Sequence, residues 1–523
     1  MSKAFNILIF IILANIQLFA QGKHVVPQSI SAQGYPAHVE LNFDNPHGFT
    51  YEIYASTDQG TSFTKKGETR DDYFLDFWKS AAANQPITYR ILPIGMALTN
   101  KAASKFEVKT TLKSRTDEEL LDMVQRYTTR YFFDYAHPDC GMARERSNNP
   151  NGDIVTVGGT GFGIMALVAG AERNYFPREK SFGKINQIVT FLEHAERFHG
   201  AWAHWYNGNT GKPFSFSKYD DGGDIVETAF MVEGLLTARQ YFKNGNAAEQ
   251  NLSERINQLW RGVEWNWYTN GSDSLYWHWS KNWGWRMKHR IKGFDETLIT
   301  YVLAASSPTY AIRPEIYHAC YPLSTYFANG KSYYGIKLSL GMEYGGPLFF
   351  THYSFLGLNP KGLNDRYADY WERNRAHVLI HRAYAIDNPH KHGGLGADLW
   401  GFTSSDDAQL GYTSHHPGTM DENGTVSPTA PIASIPYTPE YSLKVIRHLY
   451  YDLGNTTFGK YGFYDAYNPS LVEGQRVVCS YLAIDQGPIA VMLENYRSGL
   501  IWKLFAQNEE MQKGLAALGF YYK

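Results

Sequence analysis

The sequence pattern becomes helical at residues 116–131, which read TDEELLDMVQRYTTRY. Thr116 and Glu119 have the spacing of a capping box, in which two side chains satisfy free N–H groups at a helix start. Apolar residues then recur at helical intervals, at Leu120, Leu121, Val124, Tyr127 and Tyr131. The stretch therefore predicts the first helix of a long helical region.

Similar patterns continue to the end of the chain, at residues 160–173, 177–198, 224–242, 247–266, 295–305, 313–327, 347–357, 365–387, 439–453, 487–506 and 508–519. No alternation of strand and helix appears, which argues against a Rossmann fold or a TIM barrel. About twelve helices in roughly 400 residues suit a double ring of helices. We therefore predict that residues 113–523 form an all-α domain, an (α/α)6 toroid.

Upstream of this region the pattern is typical of strands. Residues 38–43, 51–54 and 87–91 alternate apolar and polar side chains, with turn signals between them. About seven short strands fit residues 24–112, which resemble a small all-β sandwich of the fibronectin type III or immunoglobulin type. No catalytic cluster lies within this stretch, so we expect a spacer or a wall beside a catalytic cleft.

The first twenty residues have the pattern of an export signal. Lys3 is followed by an apolar run at 7–14 and by the small residue Ala20. The run is far shorter than the roughly 18 residues that a membrane span needs. We interpret residues 1–20 as a signal peptide without a lipid-accepting Cys, and expect a periplasmic or secreted protein with no membrane span.

Composition excludes several classes of protein. Lys and Arg number 49 against 51 Asp and Glu, without a basic stripe, which argues against nucleic-acid binding. A hydrophobic fraction of 43% with 19% charged residues indicates a large core rather than disorder. The three cysteines lack metal-ligand spacing and leave open one disulfide or three free thiols. The His390/His392 and His415/His416 pairs lack neighbouring carboxylates in the sequence, so no metal site is predicted.

Aromatic residues are abundant, with 13 Trp, 38 Tyr and 30 Phe. Most must fill the core, but two aromatic stretches, GAWAHWY at 200–206 and YWHW at 276–279, lie in polar segments close to turns. Flat rings with a polar edge suit the faces of sugars, and tightly packed loop anchors are the alternative. The candidate sugar platforms are Trp202, Trp205, Trp277 and Trp279.

Two acidic segments are candidates for chemistry. Residues 220–228 read DDGGDIVET, where Asp224 suits a helix N-cap and Glu227 the third helical position. Caps explain two acids but not four, and crowded carboxylates raise the pKa of at least one of them. In the second segment Glu145 lies between Arg144 and Arg146. It belongs either to an ion-pair network or to a general base kept ionised by the arginines.

Taken in order, several segments resemble glycoside hydrolase family 144, the glucoamylase-like family. They are RER at 144–146, TGFG at 160–163, GGDIVET at 222–228, AASSPT at 304–309, EYGGPLFF at 343–350, PYTPE at 436–440 and IDQGP at 484–488. The resemblance spans about 400 residues. It implies an (α/α)6 toroid that hydrolyses β-1,2-glucan with inversion and without a metal or cofactor, acting internally or releasing sophorose from chain ends.

The resemblance also implies roles for individual residues. The family's catalytic Glu matches Glu227, and its Glu-Arg pair matches Glu145 and Arg146. We expect Glu227 to act as general acid, helped by Asp224, and Glu145 or Asp406 to act as base.

Tyr437 joins Arg146 and the four tryptophans as a candidate substrate contact. The expected partner is a glucan, and the expected state a monomer. Two alternatives remain open: an α-glucan hydrolase, or a non-catalytic glycan-binding protein of an uptake system.

Overall fold

The computed structural model describes residues 27, 29–45, 48–79, 83–96 and 101–523. The predicted signal peptide, 1–20, lies outside the described residues. The chain divides into two compact units, Met1–Leu120 and Leu121–Lys523. The first is a β-sheet region and the second is mainly helical.

The described part of the first unit contains seven strands, β1–β7: Ile30–Gly34, His38–Phe43, Tyr51–Ser56, Thr64–Thr69, Tyr73–Phe77, Pro86–Pro93 and Glu107–Thr111. They form two antiparallel sheets, ordered β1-β2-β5 and β4-β3-β6-β7. Alternation sends Val39 and Leu41 of one sheet and Ile53 and Ile91 of the other into one shared core. The strand at 38–43 has the predicted bounds, and the two other quoted strands are slightly longer than predicted.

The helices, α1–α14, are Asp117–Asp134, Val157–Glu172, Arg178–His194, Ile225–Phe242, Ala247–Arg261, Leu298–Ser306, Glu315–Cys320, Tyr370–Asp387, Thr429–Ala433, Pro439–Arg447, Gly454–Thr457, Ala483–Arg497, Leu500–Ala506 and Glu509–Ala517. A π-helix, His448–Asp452, extends α10. Within the described residues, every helix is too short or too polar to cross a lipid bilayer.

Short strands, β8–β22, join the helices: Ile154–Thr156, Trp205–Asn207, Pro213–Phe214, Gly223–Asp224, His278–Trp279, Ser332–Tyr333, Ile336–Lys337, Leu363–Asn364, Ser404–Asp407, Gly411–Ser414, Phe458–Gly459, Gly462–Phe463, Ala466–Tyr467, Val477–Val478 and Tyr521–Tyr522. Most pair in twos, and β10-β9-β8 form a three-stranded sheet. These ladders hold the loops that precede α2 and α4.

Five helices are apolar and buried on almost every side, whereas their neighbours are amphipathic. In the buried set α9, α12, α2, α4 and α6 each pack against the next. Helices α2 and α4 approach closely because Gly161 and Gly234 face each other. A Cβ at either glycine would lie about 2 Å from main-chain oxygen of the opposite helix.

Most predicted helices are confirmed, and three differ. The segment at 347–357 contains the two 3₁₀ helices Leu348–Thr351 and Tyr353–Phe355, since Pro347 and Gly357 leave room for only two turns. The predicted helix at 487–506 is two helices, because Gly499 has a left-handed φ of 70°. The one at 313–327 is helical only at Glu315–Cys320, followed by a 3₁₀ turn.

Candidate active site

The first carboxylate cluster forms where α4 begins. Asp224 is the N-cap, and its Oδ1 accepts the N–H groups of Val226 and Glu227, each at 2.9 Å. The predicted cap is confirmed. Glu227 does not return a bond to its own helix, because its Oε2 accepts the N–H of Gly158 in α2 at 2.7 Å. A Cβ at 158 would lie 2.6 Å from that oxygen, so only glycine leaves room for it.

His204 lies among the carboxylates of this cluster. Its Nδ1 is 3.2 Å from Asp224 Oδ2 and 3.8 Å from Asp220 Oδ2, and its Nε2 is 3.9 Å from Glu227 Oε1. Burial alone would lower the pKa of His204, but these three carboxylates raise it to about 9. His204 is therefore an imidazolium at neutral pH. We call Asp220, Asp224, Glu227 and His204 the Glu227 cluster.

The surroundings shift the pKa values of the three acids in this cluster in different directions. Burial raises the pKa of Glu227, and the charge of Asp224 raises it further while His204 opposes the rise. Burial by itself would also raise the pKa of Asp224. The hydrogen bonds that Asp224 accepts from His204 and from the N–H groups of α4 outweigh this effect and hold its pKa below the usual value. Burial and Asp224 raise the pKa of Asp220 to about 7. A buried Glu227 with a raised pKa, next to an Asp224 with a lowered pKa, suits a general acid.

A second cluster surrounds Arg146. Its Nε donates to both oxygens of Glu145, at 2.8 and 2.9 Å, and its Nη1 donates to Asp406 Oδ1 at 2.6 Å. The other oxygen of Asp406 accepts the hydroxyl of Ser480 at 2.8 Å. The structure thus brings together Glu145, Arg146 and Asp406, which the sequence analysis proposed separately. With Asp465 and Asp485 they form what we call the Arg146 cluster.

Asp465 and Asp485 add two buried carboxyls to the Arg146 cluster. The N–H of Asp406 donates to Asp465 Oδ2 at 2.6 Å. Burial raises the pKa of Asp465 to about 7, and burial followed by the charge of Asp465 raises that of Asp485 well above its usual value. Neither residue was assigned a role from the sequence, although Asp485 lies in a segment that carries the family resemblance.

Both clusters lie at the same end of the buried helices. Glu227 is bonded to the first turn of α2, and the strand before α2 leads back to Glu145, whose N–H donates to Ile154 O at 3.1 Å. The carbonyl of Glu145 accepts the N–H of Ala483, the first residue of α12, at 3.0 Å. The starts of α2, α4 and α12 therefore hold two sets of carboxylates close together.

A third acidic pair, Asp295 and Glu296, precedes α6 and was missed. Burial raises the pKa of Asp295 to about 6 and that of Glu296 well above its usual value, with Asp295 and then Glu227 contributing to the latter. The signal was available, since G-F-D-E-T at 293–297 precedes an apolar helix, as G-G-D-I-V-E-T at 222–228 does.

Two of the predicted sugar platforms adjoin the Glu227 cluster. Trp277 is half-buried, and its Nε1 donates to Asp224 Oδ2 at 3.0 Å. Trp205 is half-buried too, and its ring lies 5.5 Å from that of His204. Both remain candidates for contact with substrate.

Burial argues against two of the other aromatic predictions, Trp202 and Tyr437, whereas the partly exposed Trp279 stays a prediction. Trp202 is 0% exposed and donates its Nε1 to Leu192 O, so no ligand reaches it. Tyr437 is 3% exposed and its hydroxyl donates to Thr351 O at 3.0 Å. The ring of Trp279 contacts His199 and Trp267 rather than the carboxylates.

The geometry also bears on metal binding and cysteine chemistry. One ligand atom each of His204, Asp220 and Asp224 lie within 4.8 Å of one another, as a metal site requires. A cation there would have to displace the proton with which His204 donates to Asp224.

The three cysteines, all within the described residues, form no disulfide. Cys140, Cys320 and Cys479 are all free thiols, so of the two possibilities left open by the sequence, one disulfide or three free thiols, the structure has the second.

Known proteins similar to this chain include β-1,2-glucan hydrolases and putative glucoamylases. The family model Glycoamylase, described as "Putative glucoamylase", matches residues 288–509. The chain is 39% identical over 509 residues to the exo β-1,2-glucooligosaccharide sophorohydrolase (non-reducing end) of Parabacteroides distasonis, covering 92% of this chain and 69% of the relative.

Two solved structures extend the comparison. The endo-β-1,2-glucanase of Chitinophaga pinensis, in complex with sophorotriose and glucose, is 50% identical with a TM-score of 0.76 over 78% of this chain and 99% of that one. The β-1,2-glucanase of Parabacteroides distasonis is 37% identical with a TM-score of 0.85 over 95% of this chain and 74% of that one.

Proposed function

The chain belongs to glycoside hydrolase family 144, and we propose that it hydrolyses β-1,2-glucan or its oligosaccharides, internally or by releasing sophorose from chain ends. The names of the Parabacteroides and Chitinophaga relatives support this substrate. The observation that carries the proposal is the pair of carboxylate clusters at one end of the buried helices. Two carboxyl groups on opposite sides of a glycosidic bond are the minimum for hydrolysis.

Glu227 is the proposed general acid. Its buried carboxyl transfers a proton to the glycosidic oxygen as the bond from that oxygen to the anomeric carbon breaks. A water molecule attacks the anomeric carbon from the opposite face and loses a proton to a carboxylate of the Arg146 cluster. The product then has inverted configuration, and such acid and base groups are typically about 6.5–9.5 Å apart.

Asp406 is the stronger of the two candidate bases. Both oxygens of Glu145 share the single Nε–H of Arg146, whereas the two oxygens of Asp406 accept bonds from two separate donors, Arg146 and Ser480. Two separate donors fix the orientation of Asp406 more firmly, and each of its oxygens keeps a lone pair for a water molecule. Glu145 and Arg146 then hold Asp406 in place and balance its charge.

The finer architecture is part of the same proposal. We infer an (α/α)6 toroid for 113–523, in which α9, α12, α2, α4 and α6 are five inner elements. The 3₁₀ segment at 348–355 would be the sixth, supported by bonds from Ile299 N to Ser354 Oγ and between His352 Nε2 and Ser434 Oγ, both 3.0 Å.

We further infer a fibronectin-like or immunoglobulin-like sandwich for 24–112, supported by three- and four-stranded sheets that share one core. A signal peptide at 1–20, a periplasmic or secreted location, and a monomer complete the proposal.

A product time course on linear β-1,2-glucan, with soluble starch in parallel, tests the proposed function. We expect products from β-1,2-glucan alone, with the anomeric configuration of the first product inverted by NMR. A ladder indicates internal cleavage, and sophorose alone indicates action from the end. Glucose from starch would support an α-glucan hydrolase, and binding without cleavage would support a glycan receptor. Either result would contradict the proposal.

A further inference from the structure

A second aromatic surface lies beside the site and takes no part in the proposed mechanism. Trp267, Trp285 and Tyr310 line a depression of about 440 Å³, together with Glu264, Asn266, Thr269, Asn270 and Gly271. Trp267 is 39% exposed and Tyr310 is 40% exposed. Large aromatic side chains usually bury most of their apolar surface, so this exposure is unusual. We call these residues the Trp267 shelf.

The exposed indole of Trp267 is held rigidly in place. His199 stacks on one face with ring centroids 3.6 Å apart and planes at 13°, and Trp279 packs against its edge at 6.0 Å. His199 is itself fixed by a bond from Nδ1 to Glu264 Oε2 at 3.0 Å. Because His199 covers one face, the exposed surface of Trp267 is its opposite face. The ring of Trp285 lies 6.5 Å away, tilted by 32°.

Uncommitted polar groups surround these rings. Among the described residues, the side-chain amides of Asn266 and Asn270 and the second oxygen of Glu264 form no hydrogen bond. Both asparagines are exposed. Flat apolar faces bordered by amide and carboxylate groups match the apolar faces and hydroxyls of a glucose unit, and few polar groups are needed to orient such a ligand.

One strand connects the shelf to the catalytic clusters. Trp277, whose Nε1 contacts Asp224, and Trp279, which contacts Trp267, are two residues apart at β12, and Trp279 pairs with Gly223. Side chains two residues apart along a strand are separated by roughly 7 Å. A polymer that leaves the Glu227 cluster along this strand reaches the shelf within a few sugar units.

We propose that the Trp267 shelf binds a stretch of the β-1,2-glucan chain that lies outside the reacting part of the substrate. The inference rests on the proposed function and names a second contact for the same polymer. The shelf adds affinity for long chains through two linked contacts, whereas oligosaccharides too short to span both positions gain nothing.

Substitution of either tryptophan tests the shelf. In otherwise wild-type protein we expect Trp267→Ala and Trp285→Ala to raise KM for long β-1,2-glucan about three- to tenfold, the effect of losing one aromatic contact. The kcat and the KM for the shortest oligosaccharide that is cleaved should stay unchanged. Tyr496→Ala is a matched control, since Tyr496 is also 39% exposed and lies in the last turn of α12.

Binding is measured separately by calorimetry in a Glu227→Gln background, with long β-1,2-glucan and sophorose as ligands. Weaker binding of the polymer alone in both shelf variants supports the inference. Unchanged polymer affinity in both variants, or equal losses for polymer and short oligosaccharide, would overturn it. Trp285→Ala keeps the test decisive if Trp267→Ala loosens His199. Failure of the proposed function is distinguishable, because the wild type would then leave β-1,2-glucan uncut.

Discussion

The Glu227 cluster and the Arg146 cluster both consist of Asp and Glu side chains around one cation, and they differ in which cation that is. The Glu227 cluster surrounds a histidine whose pKa its acidic neighbours raise to about 9. The Arg146 cluster surrounds a guanidinium that is charged at every accessible pH. The raised pKa of Glu227 belongs to a carboxyl that faces the titratable cation without a hydrogen bond to it, whereas Arg146 forms hydrogen bonds directly to Glu145 and Asp406.

This difference matches the proposed roles of Glu227 as proton donor and of Asp406 as proton acceptor. Glu227 accepts one N–H and lies 3.9 Å from the histidine, so burial dominates its pKa. Asp406 accepts an N–H from Arg146 and a hydroxyl from Ser480, so each of its oxygens has a donor. Three predictions test this division of labour, and a fourth concerns the aromatic rings beside the Glu227 cluster.

Replacement of the acid should have the largest effect. Glu227→Gln keeps the shape and can still accept the N–H of Gly158, but it has no proton to donate. We expect turnover of β-1,2-glucan to fall up to about 10,000-fold, the upper range for general acid catalysis. An aryl sophoroside with a good leaving group should recover much of the rate. A variant as fast as wild type on β-1,2-glucan would remove Glu227 from the mechanism.

The second largest effect should come from the Arg146 cluster. We expect Asp406→Asn to lower kcat about 100-fold, less than loss of the acid, because neighbouring carboxylates can still accept a proton from water. Glu145→Gln should lower kcat less than Asp406→Asn does, because Glu145 is hydrogen-bonded to Arg146 and only helps to hold Asp406 in place. Azide added to an Asp406→Ala variant should yield a glycosyl azide of inverted configuration. A larger loss in Glu145→Gln than in Asp406→Asn would move the role of base to Glu145.

Removal of the titratable cation should change the pH profile. The charge of His204 lowers the pKa of Glu227, so His204→Asn should raise it. Activity depends on protonated Glu227 and is lost as pH rises through its pKa. The alkaline limb of kcat/KM should therefore move to higher pH. His194→Asn, on the exposed end of α3, serves as control. A limb that stays or moves to lower pH would contradict the contact.

The smallest effect concerns the aromatic neighbours of the Glu227 cluster. Trp277→Ala should raise KM about three- to tenfold, the value of one aromatic contact. Trp202→Ala should leave KM unchanged and instead lower the free energy of unfolding by about 3–5 kcal/mol, because it empties a buried site. Steady-state kinetics and urea unfolding separate the two. A higher KM in Trp202→Ala, with unchanged stability, would show that Trp202 is accessible to substrate.

Local spacing was sufficient to predict much of the site. Asp224 and Glu227 are three residues apart at a helix start, so the cap follows from the sequence. Glu145 and Arg146 are adjacent, so their contact is equally local. The seven strands and most helices were predicted for the same reason, since periodicity reports which face of an element is buried.

Local spacing could not predict contacts between residues that are far apart in the chain. Asp406 is 260 residues from Arg146 in the chain, and no pattern in its own segment indicates the contact. The role of His204 was missed for the same reason, since its three carboxylate neighbours belong to a different loop and to the start of α4. Trp202 and Trp277 lie in similar aromatic segments, yet only one is buried.

The sequence by itself determined the order of strands and helices, the N-cap at Asp224 and the chemical identity of the acids. Only the tertiary structure decided which acids meet, which of them have raised pKa values and which aromatic rings remain accessible. The physical reason is that propensity, capping and periodicity depend on neighbours in the chain. Burial, charge contact and exposure depend on neighbours in space, which packing of the buried helices supplies.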